Sequence, residues 1–273
     1  MHTMKRAFNI VNKYILLVTP LLLFVLFAMF FLIVTGLRNT FFLFLLILIL
    51  VAFASGWFKM IKVASAKDVT YDNPNLLWKE FLQGVGEYFL PLLGAAGIAF
   101  STAIILFITG YLVGNLIIGF ENIPFDGLKQ AFSKPGNLEP FLRGLPFEQM
   151  KDLFLWYVGS LFVGFILYLL LILYLPTIFY TDKNPFKAFL ISLKNLFSKY
   201  FFNTFCLLVT LTMINVIISF LTSILSVNLF VSGLMILVRF YTTTFIFVSI
   251  FCYYNDKFVS SANNEDKEVF TNR

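Results

Sequence analysis

Long uninterrupted runs of apolar residues alternate along this chain with short polar segments. A helix of about 20 apolar residues crosses the roughly 30 Å hydrocarbon core of a bilayer, so runs of this length predict membrane-spanning helices. The pattern therefore predicts an all-α fold, a polytopic transmembrane helical bundle. The six predicted spans are residues 14–36, 41–58, 90–119, 153–180, 201–226 and 229–254.

The remaining segments give the predicted domain organisation. Residues 1–13 are predicted to form a cytoplasmic N-terminus, and residues 14–254 a single membrane domain. Within that domain, residues 120–152 form the longest outer loop, which is rich in Pro and Gly, as is typical of a connector. A small lid over the bundle is the alternative. Residues 255–273 are polar and are predicted to be a disordered cytoplasmic tail.

Two polar-to-apolar junctions predict cytoplasmic interfacial amphipathic helices, at residues 74–89 and 185–200. Each follows an Asn-Pro pair, in which Asn caps the helix and Pro occupies its first turn without losing a hydrogen bond. Apolar residues then recur every three or four positions, with polar residues opposite. In the second helix, Lys187, Lys194 and Lys199 are candidate contacts for lipid headgroups.

The repeated order of span, Asn-Pro turn, amphipathic helix and span suggests a duplication. The two copies would be residues 41–119 and 153–228, with the same direction across the membrane, and hence parallel repeats. Because Asn-Pro is also a common helix start, chance similarity is the alternative.

Composition and charge support the membrane assignment and add an orientation. Of 273 residues, 60% are hydrophobic and 12% are charged, against about 25% charged in soluble domains. With six spans, 14 Lys and Arg residues lie on the side of the two termini and 5 on the other side. Positive loops stay in the cytoplasm, so both termini are predicted there. The net charge of +6 then reflects topology and attraction to anionic headgroups, and no nucleic-acid partner is expected.

Arg239 is the one basic residue inside a predicted span. A guanidinium near mid-membrane costs about 2.5–3.5 kcal/mol on insertion scales and usually finds polar partners. Counting from the turn at residue 227 places Asn215 at the same depth, with Thr242 and Thr243 nearby. These four residues are the candidate substrate- or lipid-binding site, completed by a headgroup phosphate or an acidic solute. In the alternative, helix carbonyls and Asn215 satisfy Arg239, or its side chain extends to the interface.

The residues that most enzymes need are scarce. The single histidine is His2, the two cysteines form no metal-binding pair, and phosphate-loop, nucleophile-elbow and zinc-protease motifs do not occur. We therefore expect no enzymatic activity, no metal and no cofactor.

The segment "NPFKAFLISLKNLFSKYFF" and the terminal "FIFVSIFCYYNDK" carry a family likeness. In both, the chain resembles the membrane domain of glycerophosphodiester phosphodiesterases and related six-span bacterial membrane proteins of unknown function. The shared features are the amphipathic helix leading into a span and a last span ending in aromatics, an acid and a base, here Tyr253, Tyr254, Asp256 and Lys257. No catalytic domain follows that pattern here, so the resemblance implies a bundle of the bacterial plasma (inner) membrane near lipid metabolism or the envelope.

The first functional hypothesis is a non-catalytic integral membrane protein that associates with lipid, or binds a protein partner at its cytoplasmic face, as a membrane scaffold. The alternative is a small permease or channel for an anionic or amphipathic solute, with Arg239 as the substrate contact.

Overall fold

The computed structural model describes residues 2–35, 40–66, 75–119, 124–133, 138–225 and 228–260. The helix start predicted at Asn73-Pro74 and most of the predicted tail lie outside these ranges. All regular structure in the described residues is helical. In chain order the α-helices are α1 (His2–Lys13), α2 (Thr19–Thr35), α3 (Thr40–Ala64), α4 (Asn75–Ile118), α5 (Phe125–Ser133), α6 (Leu138–Arg143), α7 (Phe147–Leu171), α8 (Tyr174–Tyr180), α9 (Pro185–Leu196), α10 (Phe201–Leu225) and α11 (Leu229–Tyr254).

The prediction of an all-α protein with membrane-spanning helices is confirmed at the level of helix length and hydropathy. Five helical segments of the described residues are long and apolar enough to cross a bilayer: Phe44–Ala64, Leu76–Ile117, Phe147–Tyr180, Phe201–Leu225 and Phe230–Val259. A sixth candidate is the pair His2–Lys13 and Ile15–Phe31, which is bent by 90°. The count of six spans therefore stays a prediction.

The predicted first span is broken near its start. A short 3₁₀ turn, Ile15–Leu17, separates α1 from α2, and α2 has 17 residues. Pro20 explains the restart, because proline lacks an N–H and is best accommodated in the first turn of a helix. The carbonyl of Leu17 at the break accepts a hydrogen bond from the buried Trp57 indole N–H at 2.7 Å. This bond satisfies a backbone group that an apolar environment would otherwise leave unpaired.

The first predicted interfacial helix is not separated from the span that follows it. Residues 75–118 form one helix of 44 residues with Pro91 inside. A proline inside a helix removes a single backbone hydrogen bond, whereas a break would leave several backbone groups unpaired at several kcal/mol each. The second predicted interfacial helix, α9, does end before α10, at a turn over residues 197–200. The two proposed repeats thus differ here, and duplication stays a prediction.

The contacts divide the chain into two compact units. One contains residues 1–98 and 170–273, and the other residues 99–169. In the smaller unit α4 and α7 pack closely at Gly110, where an added Cβ would lie 2.8 Å from a Val163 methyl. A groove of about 410 Å³ lies between these helices. The single membrane domain predicted for residues 14–254 stays a prediction.

The larger unit has an aromatic core at the helix ends nearest the two termini. Phe58, Phe179 and Phe251 are buried and pack ring against ring, with centroids 5.8–5.9 Å apart. Tyr88 stacks on Phe179 at 4.2 Å, and Tyr180 stacks on Tyr254 at 5.9 Å. We call this end of the unit the terminal end.

The described residues nearest the two termini are helical. Residues 2–13 form helix α1, whose Ala7 and Val11 are fully buried. After α11 a π-helical turn, Asn255–Val259, continues the chain, with Asn255 buried. The prediction of a disordered tail beginning at residue 255 is therefore corrected for residues 255–260. The helix α1 has an apolar face and basic residues elsewhere on its surface, which explains why it packs on the rest of the larger unit.

Candidate functional site

Helix α9 begins where the Asn-Pro signal predicts. The Asn184 Oδ1 accepts hydrogen bonds from the backbone N–H groups of Phe186 (3.0 Å) and Lys187 (3.2 Å), and Pro185 occupies the first helical position. These bonds pair two of the donors that a helix start leaves free. The helix start predicted from the sequence is confirmed.

The apolar residues of α9 do not form one buried face. The face that packs on the protein consists of small or medium residues, Ala188, Ser192 and Leu196. Phe189 joins them through an edge contact with Tyr174 at 5.4 Å. This packing leaves part of the predicted apolar face outward.

The outward part of α9 is a narrow apolar stripe with a lysine stripe beside it. Phe186, Leu190 and Phe197 are 63%, 51% and 69% exposed. Lys187 and Lys194 are also exposed, at positions next to the aromatic stripe around the helix. We call these five residues the α9 surface. Lys199 is exposed in the turn that follows, and its Nζ lies 5.3 Å from the centre of the Tyr200 ring.

Hydrogen bonds fix the orientation of α9 on the terminal end. Asn195 Nδ2 donates to the Tyr254 hydroxyl at 3.2 Å, and this hydroxyl also shares a hydrogen bond with Thr181 at 2.8 Å. The Tyr174 hydroxyl donates to the Pro185 carbonyl at 3.0 Å. The buried side of α9 is thus held by α8 and α11, so the α9 surface is presented outward.

A cluster of lysines surrounds Tyr88 at the terminal end. The ammonium groups of Lys59, Lys62 and Lys183 lie 5.6, 5.7 and 5.2 Å from the centre of the Tyr88 ring. Glu87 bridges two of them, at 3.0 Å from Lys59 and 2.6 Å from Lys183. The aromatic face and the carboxylate together offset the repulsion of three cations.

A second polar cluster, centred on Arg6, joins α1 to the segment that follows α11. Arg6 binds Asp256 through Nη1 at 2.6 Å and donates from Nη2 to the Ser65 carbonyl at 2.6 Å. The buried Asn255 donates to the same carbonyl at 3.2 Å. The end of α3 is therefore held by α1 and by the segment after α11.

The predicted Arg239 site is assembled differently from the prediction. Arg239 is exposed, and its Nη2 donates to the Ser219 hydroxyl of α10 at 3.2 Å. Asn215, the predicted partner, is exposed one turn away from Ser219. The hydrogen bond therefore forms nearer to the turn between α10 and α11 than the symmetric count from residue 227 places it.

The two predicted threonines of this site bond to their own helix. Thr242 Oγ1 donates to the Val238 carbonyl at 2.8 Å, and Thr243 Oγ1 donates to the Arg239 carbonyl at 2.9 Å. Thr242 is buried and Thr243 half-buried. Their hydroxyl protons are used within α11, which is the usual arrangement for Thr in apolar helices.

The lysine cluster around Tyr88 and the contacts of Arg6 were not predicted from the sequence. A signal for the first exists, because Lys59 and Lys62 are one turn apart on α3 and Glu87 precedes Tyr88 on the next long helix. The pairing of Arg6 with Asp256 has no local sequence signal, since the two residues are 250 positions apart in the chain.

Comparisons with protein-family models, curated proteins and solved structures give no match to this chain. The likeness to the membrane domain of glycerophosphodiester phosphodiesterases stays a prediction from the sequence pattern.

Proposed function

We propose that this chain is a non-catalytic integral membrane protein that associates with anionic lipid through its α9 surface. Phe186, Leu190 and Phe197 enter the boundary between headgroups and acyl chains, while Lys187 and Lys194 contact phosphates. A helix with this division lies in the plane of the interface. Each basic residue near an anionic surface contributes about 1 kcal/mol.

The observation that carries this proposal is that α9 remains apolar on its outward side after it has packed. If this helix faced water, its large apolar side chains would not gain the free energy that comes from removing apolar surface from water. Lys187 and Lys194 lie along one side of this stripe, as expected where hydrocarbon gives way to headgroups. The lysine distribution supports placing this surface, and both termini, on the cytoplasmic side of a bacterial inner membrane.

Nanodiscs of defined composition test the lipid preference. The protein carrying Lys187→Gln, Lys194→Gln and Lys199→Gln is compared with wild type in discs that contain a limited fraction of phosphatidylglycerol in phosphatidylcholine. We expect wild type to enrich phosphatidylglycerol in its lipid shell and the triple variant to lose most of this enrichment, since three charges of about 1 kcal/mol each are removed.

The matched control carries Lys129→Gln and Lys151→Gln, two exposed lysines of the smaller unit. It keeps the enrichment of wild type. Spin labels at residues 187 and 190 give an independent depth measurement, with the label at 190 deeper. Equal enrichment in wild type and triple variant, together with equal label depths, would show that α9 does not lie at the interface.

The permease alternative requires Arg239 to meet a solute inside the bundle. Arg239 is exposed on the hairpin formed by α10 and α11 and donates to Ser219. This position favours a role at the surface of the hairpin over solute binding, and we develop that role separately.

A further inference from the structure

A charged side chain stands on the outside of a helical hairpin whose exposed residues are mostly apolar. Arg239 is exposed on α11. Around it the hairpin exposes large apolar side chains on both helices: Met213, Val216, Ile217, Phe220, Ile236, Leu237 and Val238. Both helices are long and apolar enough to cross a bilayer. An arginine at such a place normally faces a bundle interior, a water-filled cavity or an ionic partner.

The depth of Arg239 keeps it away from headgroups. It lies about 15 Å along α11 from Leu229, at the rise of about 1.5 Å per residue, and farther from the other end. The hydrocarbon core extends about 15 Å to each side of its midplane. If the residues near Leu229 mark one boundary of this core, the Arg239 backbone lies close to the midplane. A lipid phosphate could reach the guanidinium only by drawing water and headgroups into the bilayer.

None of the six predicted spans contains a carboxylate residue. Asp and Glu are absent from residues 90–119, 153–180, 201–226 and 229–254, and from 14–36 and 41–58. None of the ion pairs among the described residues includes Arg239. The Ser219 hydroxyl accepts one of the five guanidinium N–H donors and carries no charge.

A polar stripe continues from Arg239 along the hairpin. Asn215 and Ser219 lie one turn apart on α10, so they share a face, and Ser223 extends the stripe by a further turn. Asn215 and Ser223 are exposed. Polar side chains of this kind form hydrogen bonds between helices within membranes. The Ser223 hydroxyl donates to the Phe220 carbonyl at 2.9 Å, so Ser223 offers an acceptor, whereas the Asn215 amide carries both donors and an acceptor.

We propose that Arg239 and this stripe bind a transmembrane helix of a partner protein that carries an Asp or Glu at mid-membrane depth. The carboxylate accepts two parallel hydrogen bonds from the guanidinium fork, and Asn215 and Ser223 bond polar atoms of the partner helix. Charge complementarity selects this occupant. A second copy of the chain would bring a second uncompensated arginine to the same depth, and an apolar helix would leave the charge unpaired.

Synthetic host helices test this proposal directly. Three peptides share about 20 apolar residues flanked by lysines and differ at one central position, which is Asp, Asn or Ala. Each carries a donor dye. The protein carries the acceptor dye at Cys206, which is exposed, while Cys252 is buried. Energy transfer is measured in phosphatidylcholine vesicles at alkaline pH, so that the Asp peptide is ionised and no anionic headgroup competes.

We expect the Asp peptide to bind wild type at least tenfold more tightly than the Asn or Ala peptide, a difference of about 1.4 kcal/mol. Arg239→Gln removes this preference without changing the helix content or lowering the thermal stability of the isolated protein. Ser219→Ala, the matched variant, retains the preference because it releases the guanidinium instead of removing it.

Three results would overturn the proposal. The first is equal binding of the Asp, Asn and Ala peptides to wild type. The second is energy transfer between two labelled copies of wild type that Arg239→Gln abolishes, which would assign the surface to self-association. The third is loss of the Asp preference when a fraction of phosphatidylglycerol is added, which would assign Arg239 to a headgroup phosphate.

Discussion

The two halves of α11 belong to one apolar candidate span and have opposite surroundings. In residues 241–254 the side chains of Thr242, Thr244 and 248–254 are buried against α1, α3 and α8. In residues 229–240 most side chains are exposed, including Phe230, Leu234 and Leu237. The buried half holds the fold together, and the exposed half is left for lipid or for a partner. Hydropathy reports that a helix can lie in a membrane and does not report which atoms cover it.

Truncating one phenylalanine in each half gives the largest expected contrast. Phe251 is 0% exposed and contacts Phe58 and Phe179, so Phe251→Ala leaves a cavity and lowers the free energy of unfolding by about 3–5 kcal/mol. Phe230 is 76% exposed, and Phe230→Ala changes it by less than about 0.5 kcal/mol. Reversible unfolding in bicelles measures both. Similar losses in the two variants would mean that the outer half is packed as well.

Arg6, which pairs with the residue Asp256 after α11, and Arg239, which lies on α11, provide the next contrast. Arg6 has Asp256 and the Ser65 carbonyl as partners, with 16% and 15% of the Arg6 and Asp256 side chains exposed. We expect Arg6→Gln to cost about 2–3 kcal/mol of unfolding free energy, because it removes the cationic partner of a largely buried carboxylate. Arg239→Gln leaves the unfolding free energy of the isolated protein unchanged or raises it, since a charge is removed from an apolar surface.

Arg143→Gln serves as the control for the loss of an ion pair as such. Arg143 pairs with Glu139 while both side chains are more than two-thirds exposed, so the expected change is below about 0.5 kcal/mol. Equal destabilisation by Arg6→Gln and Arg239→Gln would contradict the contrast between the two arginines.

Two glycines of α4 test the packing of the terminal end at smaller scale. A Cβ at Gly84 would lie 2.6 Å from Lys59 Cβ and 2.8 Å from the Ser55 carbonyl oxygen. Gly84→Ala therefore forces α3 and α4 apart and lowers the unfolding free energy by about 1–3 kcal/mol. At Gly86 nothing lies within 4 Å, so Gly86→Ala is neutral or stabilises by up to about 1 kcal/mol. A neutral Gly84→Ala would show that α3 and α4 are not in close contact.

Local signals made part of this fold predictable. The apolar runs located the long helices, because length and hydropathy are properties of consecutive residues. The Asn184-Pro185 pair marked the start of α9, since a cap acts within three residues. Both signals depend only on neighbours in the chain.

Features that arise from distant contacts were not predictable. Arg6 of α1 pairs with Asp256, which follows α11. At the break before α2, the Leu17 carbonyl accepts a hydrogen bond from Trp57 of another helix. The α9 pattern predicted one apolar face, but contacts with Tyr174 and Tyr254 determined which part of it was buried. For Arg239, counting residues gave the depth, and the neighbouring side chain was Ser219 in place of Asn215.

The salt bridge between Arg6 and Asp256 also constrains the order of assembly. Its partners are 250 residues apart, so during synthesis the N-terminal helix emerges from the ribosome long before its docking surface on the last helix exists. The larger unit can therefore close only after the helix α11 and Asp256 have been synthesised. A nascent chain arrested before residue 241 should present α1 to proteases or chaperones that the finished protein resists.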